Sequence, residues 1–389
     1  MNFDKIIKRE GTNCIKYDSI EKRFGAKKQT KPLWVADMDF ATPKFVLKGL
    51  EAVIENKILG YPYLDDGVFD SIIFWHKHRY SLNIKKDHIR IMPSVLSSLA
   101  SVICALSEQN DEVIIQTPVY PPFFDIVSSN NRVLVENRLK KVKNRFEIDF
   151  EDLENKITKK TKLLILCSPH NPIGRVWGKK ELKKLIEIAI RNGIIIISDE
   201  IHSDMVFKDF YSILSFKDSN RCAVVLNSPT KSFNMAGVKV SYIIAQDKQI
   251  KKSIDKEIKR RYIDELNGFA CNAIKSAYSK KGLEYIDELN EYLQYNVEYT
   301  HRYLSLNLPK LQIVKNEATY LIWLDFKKFD MDHNQIKDKL LFESKVLLND
   351  GMDFSKIQGE KCFRINVALP FKELREALKS IVKVFIPLG

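Results

Sequence analysis

Lys231 is the residue of this chain whose setting points most directly to chemistry. It lies in the stretch 228–237, Ser-Pro-Thr-Lys-Ser-Phe-Asn-Met-Ala-Gly, just after an apolar run at residues 223–226 that we predict to be a buried strand. A lysine at that point is predicted to be partly desolvated, which lowers the pKa of its amine and makes it a nucleophile toward carbonyl groups. An exposed lysine on an ordinary turn fits this stretch alone at least as well.

The hydroxyl groups around this lysine suit a phosphate. Ser228, Thr230 and Ser232 flank Lys231 within the same stretch. A cofactor that carries both an aldehyde and a phosphate would use the amine and the hydroxyls together, and pyridoxal phosphate (PLP) is the common cofactor of that kind. A PLP site is therefore one hypothesis for this stretch.

Polar residues follow several other predicted strands in the same way. Tyr120 follows the apolar run 112–116, and Asn171 follows the run 163–167. Asp199 follows the run 194–197, and Lys231 follows the run 223–226. Continuous apolar strands that alternate with amphipathic helices are typical of a mostly parallel sheet covered on both faces. Ligands bind off the carboxyl ends of strands in such sheets, so we expect these residues to meet in one crevice.

A possible anion site begins a predicted helix. Residues 89–93 read as a short strand and residues 94–106 as a helix, whose first turn is Ser-Val-Leu-Ser. The free backbone N–H groups of such a turn bind anions. Ser94 at the start is equally consistent with ordinary helix capping.

Composition and charge are those of a globular protein. The chain has 389 residues, of which 45% are hydrophobic and 29% charged. Its formal net charge is +13, from 63 basic and 50 acidic residues. The lysines are scattered, or interleaved with acidic and apolar residues at helical spacing as in 251–261. A nucleic-acid surface needs a continuous basic patch, so we expect no nucleic-acid partner.

The cysteines, the apolar runs and the histidines indicate the cellular compartment and whether the protein binds a metal. The six cysteines form no CxxC pair, and several lie in apolar runs, as is typical of free thiols in a reducing cytoplasm. Residues 1–10 lack a signal-peptide core, and no apolar run approaches the roughly 18–20 residues that span a bilayer. His76 and His78 lie two apart, on different helix faces, whereas helical metal ligands lie four apart. We expect a cytoplasmic protein without a membrane segment or a metal.

Seven motifs stand in order along nearly the whole chain. They are WVADMDF (34–40), TPVYPPF (117–123), SPHNPIGRVW (168–177), DEIHSD (199–204), SPTKSFNMAG (228–237), ATYLIWLDF (318–326) and RINVALP (364–370). Together they resemble the motifs of fold-type-I PLP-dependent enzymes of the class I/II aminotransferase superfamily. Within that group the chain is most similar to the carbon–sulfur lyase branch, which includes bacterial cystathionine β-lyases and the maltose-regulon modulator.

The resemblance implies a role for each residue around the cofactor ring. Lys231 would bind the PLP aldehyde covalently and later remove the substrate Cα proton. Asp199 would pair with the protonated pyridine nitrogen, and Tyr120 would stack on the ring. Asn171 and His202 would lie at the ring 3-oxygen. Taken alone, Asp199 also fits a helix cap and His202 a core histidine.

The resemblance also implies how the cofactor phosphate is held. It would rest on the backbone N–H groups of Val95 and Leu96 and on the Ser228 hydroxyl. Lys239 stands about where the superfamily more often has an arginine that contacts the phosphate. Tyr61 would reach the phosphate from a second subunit, which implies a homodimer with shared active sites.

The substrate would be an amino acid held by its α-carboxylate. Arg364 would grip that carboxylate with its two-pronged guanidinium, and Ala36 would contact the substrate. Arg364 taken alone also fits a surface salt bridge. The chain departs from the family in Ser94, where glycine is usual, and in Ile173, where threonine is usual. Both could shift the cofactor slightly.

The implied fold and activity are specific. We expect an α/β protein whose large domain holds a mostly parallel mixed sheet between helices, as in aspartate aminotransferase, with a smaller α+β domain. The expected division is an N-terminal arm with part of the small domain (1–45), a large PLP-binding domain (46–283) and a small domain (284–389). The expected reaction is β-elimination of cystathionine or related S-substituted cysteines. The alternatives are an aminotransferase on the same fold and a regulatory role through protein contacts.

Overall fold

The computed structural model describes residues 1–26 and 29–386, so the last three residues of the expected small domain lie outside it. Most of its longer helices follow runs of amphipathic sequence. The α-helices are α1 Ile15–Asp18, α2 Ile20–Phe24, α3 Lys44–Glu55, α4 Asp66–Tyr80, α5 Val95–Leu106, α6 Pro122–Ser129, α7 Phe150–Lys156, α8 Lys179–Asn192, α9 Lys248–Arg261, α10 Ala270–Ala277, α11 Lys280–Asn307, α12 His333–Asp338 and α13 Phe371–Phe385.

The strands include the apolar runs expected from the sequence. They are β1 Lys31–Pro32, β2 Ile89–Met92, β3 Glu112–Thr117, β4 Val133–Arg138, β5 Lys140–Val142, β6 Arg145–Glu147, β7 Thr161–Cys167, β8 Ile195–Asp199, β9 Ala223–Asn227, β10 Ser241–Ile244, β11 Gln312–Ile313, β12 Leu321–Asp325, β13 Val346–Leu347, β14 Asn349–Asp350 and β15 Cys362–Asn366.

The large sheet has the order β2-β10-β9-β8-β7-β3-β4. Strand β10 is antiparallel to both of its neighbours, and the other pairs are parallel. The predicted mostly parallel mixed sheet is therefore confirmed. The carboxyl ends of β3, β7, β8 and β9 lie side by side at one edge, which is where the polar residues that follow them begin.

Both faces of this sheet are covered, as its continuous apolar strands require. Ile165 and Ile197 belong to one apolar cluster, which includes residues of α5 and α9. Leu164 and Ile196, one position earlier in the same strands, belong to a second cluster, which includes residues of α8. Because successive side chains of a strand point to opposite faces, each strand supplies both layers of the core.

Helix α5 begins one residue later than we expected, at Val95. Ser94 is its N-cap, and the Ser94 hydroxyl oxygen accepts a 3.1 Å hydrogen bond from the backbone N–H of Ser97. The capping interpretation of Ser94 is therefore correct. It does not exclude the anion site, because the amides of Val95 and Leu96 remain without an intrahelical acceptor.

The C-terminal region builds a separate sheet of order β11-β12-β15-β14, whose strands are antiparallel. A parallel pairing of β1 with β13 ties the N-terminal segment to this region. The division into residues 1–45, 46–283 and 284–389 stays a prediction. No helix in the described ranges is long and apolar enough to cross a membrane.

Candidate active site

A cavity of about 350 Å³ lies at the carboxyl edge of the large sheet. Loops that follow β3, β7, β8 and β9 meet there with the first turn of α5, the segment after β1, and β14 and β15 of the smaller sheet. The predicted site residues that line it are Ala36, Val95, Leu96, Tyr120, Asn171, Asp199, His202, Lys231, Lys239 and Arg364. The crevice predicted from the strand pattern is therefore present.

Two predicted phosphate contacts do not line this cavity. Ser228 is fully buried, and its hydroxyl contacts the carbonyl oxygen of Val240 at 2.6 Å and the Thr230 hydroxyl at 2.7 Å. Thr230, two residues on, lines the cavity instead. Tyr61 is fully exposed on the surface and lies outside this cavity lining.

Lys231 lies in the turn that follows β9, and its amine points to the N-terminal segment. Its Nζ donates a 2.5 Å hydrogen bond to the carbonyl oxygen of Ala36. Burial lowers the pKa of the Lys231 amine to about 8, against an opposing effect of the nearby Asp37 carboxylate. The amine is therefore partly neutral near physiological pH, as the sequence predicted.

Asp199 is the last residue of β8, and its carboxylate is buried beneath the cavity. Its Oδ1 accepts a 3.1 Å hydrogen bond from the backbone N–H of Ile201. Among residues 1–26 and 29–386, no ion pair joins Asp199 to a basic side chain. Burial raises the pKa of this carboxyl to about 6. A buried carboxylate of this kind is suited to a cationic ligand that enters the cavity.

His202 and Asn171 line the same cavity as Lys231 and Arg364. Burial lowers the pKa of the His202 imidazole to about 3, so the ring is neutral, and its Nδ1 has no hydrogen-bond partner within the described ranges. The backbone of Asn171 is anchored to the end of β7, because its N–H donates a hydrogen bond to the Cys167 sulfur at 3.4 Å. Its side-chain oxygen accepts a 2.9 Å hydrogen bond from Nη1 of Arg364.

Arg364 reaches the cavity from β15, in the middle of the smaller sheet. Its side chain is 4% exposed, and its Nη2 donates to the carbonyl oxygen of Trp34 at 2.7 Å and to the side-chain oxygen of Asn349. Burial lowers the pKa of the guanidinium to about 10, which leaves it protonated at neutral pH. The structure excludes the surface salt bridge as its role.

The residues present fit PLP on three independent points. Lys231 offers a partly neutral amine to an aldehyde. Asp199, which forms no ion pair in the described part of the chain, offers its carboxylate to a protonated ring nitrogen. The first turn of α5 offers the amides of Val95 and Leu96 to a phosphate. His202 adds an unpaired ring nitrogen on the same cavity wall.

Asn349 is the contact that sequence reasoning missed. It follows a short strand and carries no motif, so nothing in the local pattern singles it out. It reaches Arg364 because β14 and β15 pair in the register that places the two residues opposite each other. Cross-strand register between distant segments is a tertiary property, which a single sequence does not display.

Residues 34–381 match the family described as Aminotransferase class I and II, and the chain belongs to that family. It is similar to the cystathionine beta-lyase PatB of Bacillus subtilis, with 35% identity over 98% of this chain and 99% of that relative.

Two solved structures share the fold over almost the full length. A PLP-bound putative aminotransferase from Clostridium difficile 630 has a TM-score of 0.94 and 37% identity, over 98% of this chain and 99% of its own. Cystalysin from Treponema denticola, which contains a pyridoxal 5'-phosphate cofactor, has a TM-score of 0.95 and 27% identity. The match covers 100% of this chain and 99% of cystalysin. The predicted resemblance is therefore confirmed.

Proposed function

We propose that this protein is a PLP-dependent carbon–sulfur lyase that acts on cystathionine or related S-substituted cysteines. The observation that carries the proposal is that Lys231, Asp199 and Arg364 line one cavity, and that none of the three forms a salt bridge within residues 1–26 and 29–386. These are the groups needed for an aldehyde, a ring nitrogen and an α-carboxylate. The similarity to the B. subtilis cystathionine β-lyase and to cystalysin supports the reaction type.

When bound, PLP supplies an acceptor for the electron pair left behind as the Cα proton departs. The proton passes to Nζ of Lys231, whose lowered pKa makes the amine available as a base near neutral pH. The Cβ–S bond then breaks, and the sulfur leaves as a thiol after taking up a proton. Water hydrolyses the remaining three-carbon fragment to pyruvate and ammonia.

The other side chains hold the reactants in place. The buried guanidinium of Arg364 would bind the substrate α-carboxylate, and Ala36, which lines the same cavity, would contact the substrate. Asp199 would hold a proton on the ring nitrogen, and Tyr120 would pack against the ring face. Asn171 and His202 would contact the ring oxygen. The α5 amides, Thr230 and Lys239 would hold the phosphate.

The functional unit would be a homodimer with shared sites. Tyr61 is fully exposed, and Ile58, Leu59 and Tyr63 beside it are also exposed. An apolar stretch of this kind is typical of a subunit interface. If a second copy covers it, Tyr61 would reach the phosphate of the neighbouring site.

An aminotransferase is the second candidate, because the C. difficile structure at 37% identity bears that description. The two reactions differ in their need for a second substrate. With the PLP-loaded protein and L-cystathionine, we expect continuous pyruvate release, in excess over protein, without any added α-keto acid. Turnover that occurs only after an α-keto acid is added would instead identify an aminotransferase.

A further inference from the structure

The guanidinium of Arg364 is buried among neutral oxygen atoms. Its Nη1 donates to Asn171, and its Nη2 donates to Trp34 and Asn349. Its Nε has no hydrogen-bond partner, and no carboxylate forms an ion pair with the group within residues 1–26 and 29–386. A buried charge without a counter-ion is costly unless a ligand supplies one.

The identity of residue 349 decides whether the positive charge of Arg364 is neutralised by a neighbouring carboxylate. Strands β14 and β15 are antiparallel, and Asn349 lies directly opposite Arg364. Directly opposite side chains share a face of the sheet and touch. Asp350, the next residue, lies opposite Phe363, and its carboxylate binds Lys337 and His333 at 2.9 Å each. An acid therefore stands one position away but faces the other side of the sheet.

No other titratable group near the guanidinium pairs with it in the described part of the chain, although the Asp353 carboxyl favours its protonated form. Tyr120 and Tyr320 carry hydroxyls whose pKa is raised by burial, so they are neutral at physiological pH. Asp353, in the turn after β14, has its pKa raised by burial and by the charge of Asp350. Asp353 forms no ion pair with Arg364 in the described part of the chain.

We propose that Asn349 is a positioning residue that sets the selectivity of the site for carboxylates. Its neutral side-chain amide accepts a hydrogen bond from the guanidinium of Arg364 and fixes its position without neutralising its charge. The positive charge therefore remains available to bind an incoming carboxylate. This inference rests on the proposed function only in taking that carboxylate to belong to an amino-acid substrate.

The sharpest test is Asn349→Asp, which keeps the size and shape of the side chain and adds a competing carboxylate. The probes are propionate and its uncharged amide, propionamide, titrated into the full-length PLP-loaded protein and followed by ligand-detected NMR. We expect propionate binding to weaken about tenfold, the factor that corresponds to ~1.4 kcal/mol. Propionamide binding should not change. In turnover, KM for cystathionine should rise by a similar factor while kcat changes little.

Asp350→Asn is the matched control, because it changes a charge at the neighbouring position on the opposite face. It should leave propionate binding as in the unmodified protein. Equal propionate affinity in the unmodified protein and Asn349→Asp would overturn the inference, as would equal weakening of both probes. If propionate selectivity depends on Asn349 but no pyruvate is ever formed, this inference stands and the proposed lyase function fails.

Discussion

The amine of Lys231 and the carbonyl oxygen of Ala36 are joined by a 2.5 Å hydrogen bond across 195 positions of the chain. The hydroxyl of Tyr320 donates to the same oxygen at 3.1 Å. The loop after β9, the segment after β1 and the residue just before β12 therefore meet at one acceptor. This contact holds the lysine amine at the cavity wall, where an aldehyde and a Cα proton would be presented to it.

Removal of the amine tests the central residue. We expect Lys231→Ala to lower pyruvate release from cystathionine by about 10²–10⁴-fold, the usual contribution of a positioned base, and to weaken retention of PLP. Pyruvate can be followed in a coupled assay and PLP by absorbance. Lys256→Ala, an exposed lysine on α9, is the control and should behave as the unmodified protein. Undiminished pyruvate release by Lys231→Ala would contradict the assignment.

The pH dependence of the amine can be measured without cofactor or substrate. Only the neutral amine reacts with an acylating reagent, and burial lowers the pKa of Lys231 to about 8. Labelling of Lys231 in the apoprotein should therefore reach half its maximal rate near pH 8, whereas exposed lysines reach it near about pH 10.4. Peptide mass spectrometry reports both from one digest.

The Asp37 carboxylate favours the protonated amine, so Asp37→Asn should move the Lys231 midpoint to still lower pH. A midpoint for Lys231 equal to that of the exposed lysines would show that the amine is not desolvated.

The charge of Asp199 is predicted to be essential, whereas that of its neighbour is not. Asp199→Asn keeps the shape of the side chain but removes the negative charge, and we expect activity to fall about 10²–10³-fold, as when one preorganised electrostatic group is lost. Glu200→Gln is the matched control, since Glu200 is buried beside Ser198 and Ile213, away from the cavity lining. Equal losses of activity in the two variants would argue for a general effect of buried acids.

Glu200→Gln carries its own prediction for stability. Burial raises the pKa of the Glu200 carboxyl from 4.5 to about 7, so the folded protein binds a proton that the unfolded chain releases. The stability from this group is full below pH 4.5 and is lost as the pH rises through about 7. Glu200→Gln should therefore reduce the fall in Tm between about pH 5 and pH 8. An unchanged slope would show that Glu200 is ionised in the folded protein.

Sharing of active sites can be tested by mixing two defective subunits. Tyr61→Ala should lack a phosphate contact, and Lys231→Ala should lack the base. In a reassorted equal mixture, about a quarter of all sites would combine an intact Lys231 with an intact Tyr61 of the partner, and activity should reappear to that extent. The control mixture contains Tyr295→Ala in place of Tyr61→Ala. Its activity should equal that expected from the fraction of subunits that retain Lys231. No gain over the separate variants would exclude a shared site.

Much of the site was predictable because parallel strands place their carboxyl ends together. Tyr120, Asn171, Asp199 and Lys231 follow β3, β7, β8 and β9, and local hydrophobic patterning is enough to locate each strand end. The motifs resembling the PLP enzymes then assigned a chemical role to each residue. Placement within a turn was less predictable: Ser228 and Thr230 both carry hydroxyls, but only Thr230 lines the cavity.

The sequence by itself determined the alternation of strands and helices, the positions of the polar residues after the strands, and the family. These are local properties, set by hydrophobic periodicity and by short motifs. Only the tertiary structure decided that Ala36 and Arg364 complete the cavity from the two ends of the chain, and that Asn349 rather than Asp350 faces the guanidinium. The reason is that pairings such as β1 with β13 and β14 with β15 depend on contacts between distant segments, and a shift of one residue would reverse which side chain faces the site.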